Sequence, residues 1–189
     1  IWDSATGKEL LSFKGHQDGF FGIDFSPDGS RLATSSFDGT AIVWDANTGK
    51  ELFKLIGHKN RVGSIDYSPD GSRLVTGSWD NTAIVWDAMT GKKLFSLVGH
   101  SNNIRRVVFS PDSTRIVTAS FDGTAKVWDA SSGKELLTLS GHTNSLFDAA
   151  FSPDGTRIAT VSGDRTAKVW DAITGKELWT FHAPDGLTG

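Results

Sequence analysis

The apolar residues of this chain come in short runs of strand length, each closed by turn chemistry. Residues 61–67 (RVGSIDY), 72–78 (SRLVTGS), 82–87 (TAIVWD) and 92–99 (KKLFSLVG) are rich in β-formers, and helical spacing is nowhere sustained. Polar turns separate them. Ser68-Pro69-Asp70-Gly71 sets Pro where a turn wants a fixed φ and Gly where it wants a positive one. Phe37-Asp38-Gly39-Thr40 supplies an Asp-Gly hairpin turn, and Asn81 and Arg165, in the place of Gly39, predict a turn type that varies along the chain. Asp45 to Gly49 (DANTG) reads as a third turn, with Gly49 free to go left-handed. TAIVW is apolar on both faces, as a strand between neighbouring sheets should be, whereas GKELFKLIG alternates and carries charge, as an outer edge strand should.

This pattern is one unit written four times. Trp-Asp recurs at Trp2, Trp44, Trp86, Trp128 and Trp170, each 42 residues apart, with no insertion breaking the register. Gly-His recurs at His16, His58, His100 and His142, and Ser-Pro-Asp at Pro27, Pro69, Pro111 and Pro153, on the same period. Trp79, in SWDNTAIVWD, falls outside the Trp-Asp series. Four strands per unit predict an all-β repeat in which each small sheet stacks face to face on the next.

Composition narrows the function classes. The 189 residues are 38% hydrophobic and 22% charged, which suits a globular chain, and a net charge of -3 gives no basic excess for nucleic acid. Cysteine is absent, so disulfides and zinc–thiolate sites are excluded. No apolar run approaches the roughly 20 residues of a membrane span. The opening IWDSATG lacks Met and reads as the middle of a repeat, so a preceding segment is expected to be missing and targeting information with it; a cytoplasmic location is the expectation.

Gly-His, Asp and Trp-Asp at this spacing resemble the WD-repeat β-propeller family, and the resemblance covers essentially the whole chain. It implies four-stranded antiparallel blades: about 16–57, 58–99, 100–141 and 142–182, with residues 1–15 as an outer strand left from a preceding blade and 183–189 as a tail. It also implies hydrogen-bonded tetrads of His, Ser or Thr, Asp and Trp. These are placed on His16, Ser36, Asp38 and Trp44; on His58, Ser78, Asp80 and Trp86; on His100, Ser120, Asp122 and Trp128; and on His142, Ser162, Asp164 and Trp170. In that arrangement the carboxylate accepts from imidazole and the hydroxyl accepts from the indole N–H. A Ser-His-Asp set also fits a hydrolase. A set present in every repeat, with its serines inside a sheet, lacks the exposed nucleophile and oxyanion site that hydrolysis needs. One His per blade is too dispersed for a metal site, and one turn carboxylate falls far short of a calcium shell. The chain is therefore expected to be non-enzymatic, with no cofactor and no metal.

The resemblance implies partner binding on the top face. After Gly-His the copies read QDGFFGIDF, KNRVGSIDY, SNNIRRVVF and TNSLFDAAF, and this variation contrasts with near-constant SPDG and VWDA segments. Three variable columns gather Phe21, Phe37, Arg61, Trp79, Asn103, Arg105, Phe121 and Phe147. Aromatics and Arg dominate interface hot spots, so a protein or peptide partner is expected there. The alternative is a structural, sensor or autoinhibitory array within a larger protein. Four blades with one surplus outer strand would leave apolar end faces, and three explanations compete: a segment of a longer chain, two copies closing an eight-blade ring, or four blades closing alone; association through the first or second is the expectation. A nucleic-acid or membrane partner is not expected.

Overall fold

The computed structural model describes residues 1–183. Sixteen strands form four antiparallel sheets of four, each in simple chain order. The first holds β1 (Phe20–Phe25), β2 (Arg31–Ser36), β3 (Thr40–Asp45) and β4 (Glu51–Ile56). The second holds β5 (Val62–Tyr67), β6 (Arg73–Ser78), β7 (Thr82–Asp87) and β8 (Lys93–Val98). Next come β9 (Ile104–Phe109), β10 (Arg115–Ser120), β11 (Ala125–Asp129) and β12 (Glu135–Leu139). The last holds β13 (Leu146–Phe151), β14 (Arg157–Ser162), β15 (Thr166–Asp171) and β16 (Glu177–His182). These are four propeller blades, and the described residues contain no helix.

Register follows the pleat. Val75 faces Val85 across β6 and β7, and Leu74 faces Trp86, so alternate residues pack on opposite neighbours. Three apolar layers result, one between each successive pair of blades. Ala33, Ala41, Val43 and Leu55 of blade 1 meet Ile65, Leu74, Ile84 and Trp86 of blade 2, and the same layer recurs twice. Polar bonds knit these layers on a fixed offset. The Arg31, Arg73 and Arg115 guanidiniums each donate to an alanine carbonyl 57 residues on: Ala88, Ala130 and Ala172. Asp24 and Asp66 accept from the Tyr67 and Phe109 N–H groups, and Val108 ends that series.

The hairpin turn between second and third strands corrects the expectation of varying type. Gly39, Asn81, Gly123 and Arg165 have φ of 84, 71, 84 and 67°, so all four turns take the left-handed conformation whichever residue is present. Two of them hold a side chain where glycine is preferred.

Candidate partner-binding face

In each blade the loop after Gly-His and the turn between the second and third strands are tied together. The N–H groups of Phe37, Trp79, Phe121 and Gly163 donate to the carbonyls of Gly19, Arg61, Asn103 and Ser145. Two of the three variable columns are therefore joined on one face, and ring contacts bring the third to it. Beneath them the tetrads hold that face rigid. Imidazole Nδ1 of His16, His58, His100 and His142 lies 2.7–3.1 Å from Asp38, Asp80, Asp122 and Asp164. A carboxylate only accepts, so Nδ1 carries the proton. Burial raises the pKa of these four aspartates, but bonds from threonine hydroxyls, backbone N–H groups and imidazole outweigh it and hold them well below the ordinary carboxylate range.

The hydroxyl in each tetrad is threonine, not the serine expected from sequence. Thr34, Thr76, Thr118 and Thr160 accept the indole N–H of Trp44, Trp86, Trp128 and Trp170 at 2.8–2.9 Å and bond His Nε2 on the other side. Ser36, Ser78, Ser120 and Ser162 lie two residues further along the same strand face, at the strand end. There each hydroxyl donates to a backbone carbonyl of the preceding loop and accepts the N–H of the tetrad Asp. Both residues recur every 42 positions, so periodicity could not separate them; depth in the sheet does. The Ser-His-Asp combination is thus not assembled.

On the face itself the side chains form a ladder across three blades. The Arg105 guanidinium sits 4.3 Å over the Phe21 ring, Phe21 meets Phe37 at 5.0 Å with the rings tilted by 48°, and Phe37 lies 5.7 Å from Trp79. Arg61 covers both of the last two rings, at 4.7 and 5.1 Å. Phe121 and Phe147 make a separate edge-to-face pair at 6.0 Å towards the fourth blade. Asn103 enters through its backbone, with its N–H on the Asn102 side chain and its carbonyl on Phe121. The eight residues thus fall into an Arg–aromatic ladder, an aromatic pair and one backbone position.

In blades 2 and 4 two of the columns trade large for small, a relation the sequence reading missed. Trp79 leans on Gly63, where an added Cβ would lie 3.1 Å from the indole nitrogen, and Phe147 leans on Gly163 at 3.3 Å. The signal was available, since in each of these two blades one column holds glycine where the other holds a ring. The Trp79 Nε1 atom is buried with no hydrogen-bond partner. Arg106 was also missed. It pairs with Asp148 at 3.3 Å and faces Asp24 and Asp66 from the inner strands. Burial lifts Asp66 to about 7; the Phe109 N–H and Arg106 oppose this, and Asp24 reinforces it.

A family profile described as "WD domain, G-beta repeat" matches residues 7–45, 49–87, 91–129 and 133–171. One stretch of 39 residues is 54% identical to Coronin-7 of Mus musculus, and a stretch of the same length is 49% identical to Coronin-7 of Homo sapiens. Each covers 21% of this chain and 4% of the relative's length.

Proposed function

Because the chain belongs to the WD domain, G-beta repeat family, we propose that it is a non-enzymatic platform that binds a protein or peptide on the face carrying Arg61, Trp79 and Arg105. Family members generally bind protein partners, which supports the class of activity. The Arg–aromatic ladder supports the place. Its guanidiniums are pre-positioned over rings, so little side-chain freedom is lost when a partner arrives. Lys59, Arg61 and Arg105 bring positive charge to blades 2 and 3, whereas Arg106 is already paired with Asp148. A segment bearing carboxylates beside an apolar anchor is the matching chemistry.

Fluorescence anisotropy with acidic–aromatic and basic–aromatic peptide pools tests this. Tight binding confined to the acidic pool, weakened by roughly 1–3 kcal/mol in Arg61→Ala and Trp79→Ala, is expected of hot-spot residues. Unfolding midpoints should stay close to wild type. Equal binding of both pools, or indifference to both substitutions, would overturn the assignment.

A further inference from the structure

The two ends of the blade series carry matching halves of the layer found inside it. On the leading face of blade 1, Ile23 and Phe25 are 67% and 47% exposed, whereas their counterparts Ile65 and Tyr67 are at 2% and 5%. On the trailing face of blade 4, Val161 and Phe181 are 42% and 57% exposed, whereas the counterparts of Phe181 (Leu55, Leu97 and Leu139) are all buried. The four blades therefore form an open arc. Polar groups match as well. Arg157 stands in the register of the three arginines that reach an alanine carbonyl one blade on, and its guanidinium rests over Trp179. In the same register its target is the Ala46 carbonyl of a second copy.

The N-terminal segment already occupies part of that seat. Trp2 bridges Glu9 as Trp44 pairs with Glu51. Phe13 packs on Leu32, Ile42, Trp44 and Ala46. Leu11 lies against Gly49 as Phe53 lies against Gly91 and Phe95 against Gly133. Residues 1–13 (IWDSATGKELLSF) thus stand where the third and fourth strands of a preceding blade would stand, and they nearly repeat residues 169–181 (VWDAITGKELWTF). Beside them, where the first and second strands of such a blade would stand, lies a cleft of about 530 Å³ lined by Leu11, Phe13, Phe20, Phe21, Ile23 and Leu32.

We propose that the chain pairs head to tail with a second copy, blade 4 of each seated on blade 1 of the other, and that residues 1–13 hold this seat in the single chain. The incoming β15 and β16 displace their own near-copy, while β13 and β14 fill the cleft. Two sets of four blades make eight, which is within the range of about 4–8 blades that propellers close with, and a third set would exceed it.

Sedimentation equilibrium of the full chain and two variants tests the pairing and the displacement together. The full chain should reach twice the single-chain mass as concentration rises. Phe181→Asp, on the incoming face, should raise the dissociation constant at least about tenfold. Phe13→Asp, which loosens the stand-in, should lower it; Leu11→Ser, a milder change in the same segment, should shift it the same way. The chain has no cysteine, so Ile23→Cys with Asp148→Cys gives a clean cross-link; these positions match Ile65 and Gly22, whose backbones meet between blades 1 and 2. Under oxidation the double variant should form a covalent pair. A single-chain mass in every variant, species beyond two copies, Phe13→Asp weakening association as Phe181→Asp does, or a cross-link closed within one chain would each overturn the proposal.

Discussion

Thr76 holds the second tetrad together from the middle of β6, taking the Trp86 N–H at 2.8 Å and bonding His58 Nε2 at 2.8 Å. Replacing it with valine keeps the volume and strands two buried groups, so Thr76→Val should cost about 2–4 kcal/mol in urea denaturation. Ser78→Ala removes bonds to a loop carbonyl and to the Asp80 N–H, and should cost about 1 kcal/mol. The reverse order would restore serine to the tetrad. Asp66 makes a different case. Its pKa is raised by burial to about 7, above the unfolded value, so its charge destabilises the fold at high pH and the penalty vanishes as pH falls through 7 toward 4. Asp66→Asn should therefore be more stable than wild type by about 2–4 kcal/mol at pH 8, and the difference should shrink to near zero at pH 4. Thermal unfolding of both proteins across that range checks the sign, because the carboxylates held low on the turns, such as Asp28 at about 2, cancel in the difference.

Blades pack through residues that trade size across the layer. On β6, Gly77 faces Ile104 and Val107, and a Cβ there would come within 2.7 Å of Val107 and 2.8 Å of Ile104. In the same register, blade 1 has Ser35 opposite Val62 and Ile65, and blade 3 has Ala119 opposite the smaller set of Leu146 and Ala149. Gly77→Ala should therefore cost about 1–3 kcal/mol by overpacking, and adding Ile104→Val should return part of it, a non-additivity that a double-mutant cycle reads directly. Trades of this kind mark the limit of what the sequence shows. Strand order, turn positions and the Trp-Asp series follow from a period of 2 inside a period of 42, and the structure keeps all of them. Periodicity is blind where two residues share it, as Thr76 and Ser78 do, because choosing between them needs the depth of each along the strand. It is equally blind across the layer. The contact of Arg105 in blade 3 with Phe21 in blade 1 joins residues 84 positions apart, and no pattern along the chain announces that they meet.

At the scale of the whole molecule, stability adds up from blades and from the layers between them, as in other repeat proteins. Blades 2 and 3 are packed on both sides, while blades 1 and 4 each have one complete layer. The burial of equivalent strands records this difference. The second strand of blade 2, β6, is buried along almost its whole length, whereas β14 in blade 4 alternates between buried and exposed, and β1 has no fully buried residue. Local opening should follow the same order, since strands with fewer buried contacts open at lower free energy. Native-state amide exchange in the dilute single chain should show the longest protection in β6, β7, β10 and β11. In β1 and β14 the opening free energy should be lower by about 2 kcal/mol or more. Residues 1–13 sharpen the expectation, because Phe13 covers Trp44 and shields the outer half of blade 1, leaving β1 as its weak strand. β3 should then exchange more slowly than β1 within one sheet. At concentrations where two chains pair, protection of β1 and β14 should rise together while that of β6 stays fixed, because covering the two end faces is a single event. Protection that is uniform over all four blades in the single chain would mean that the arc opens as one cooperative unit, and that the end faces cost it nothing.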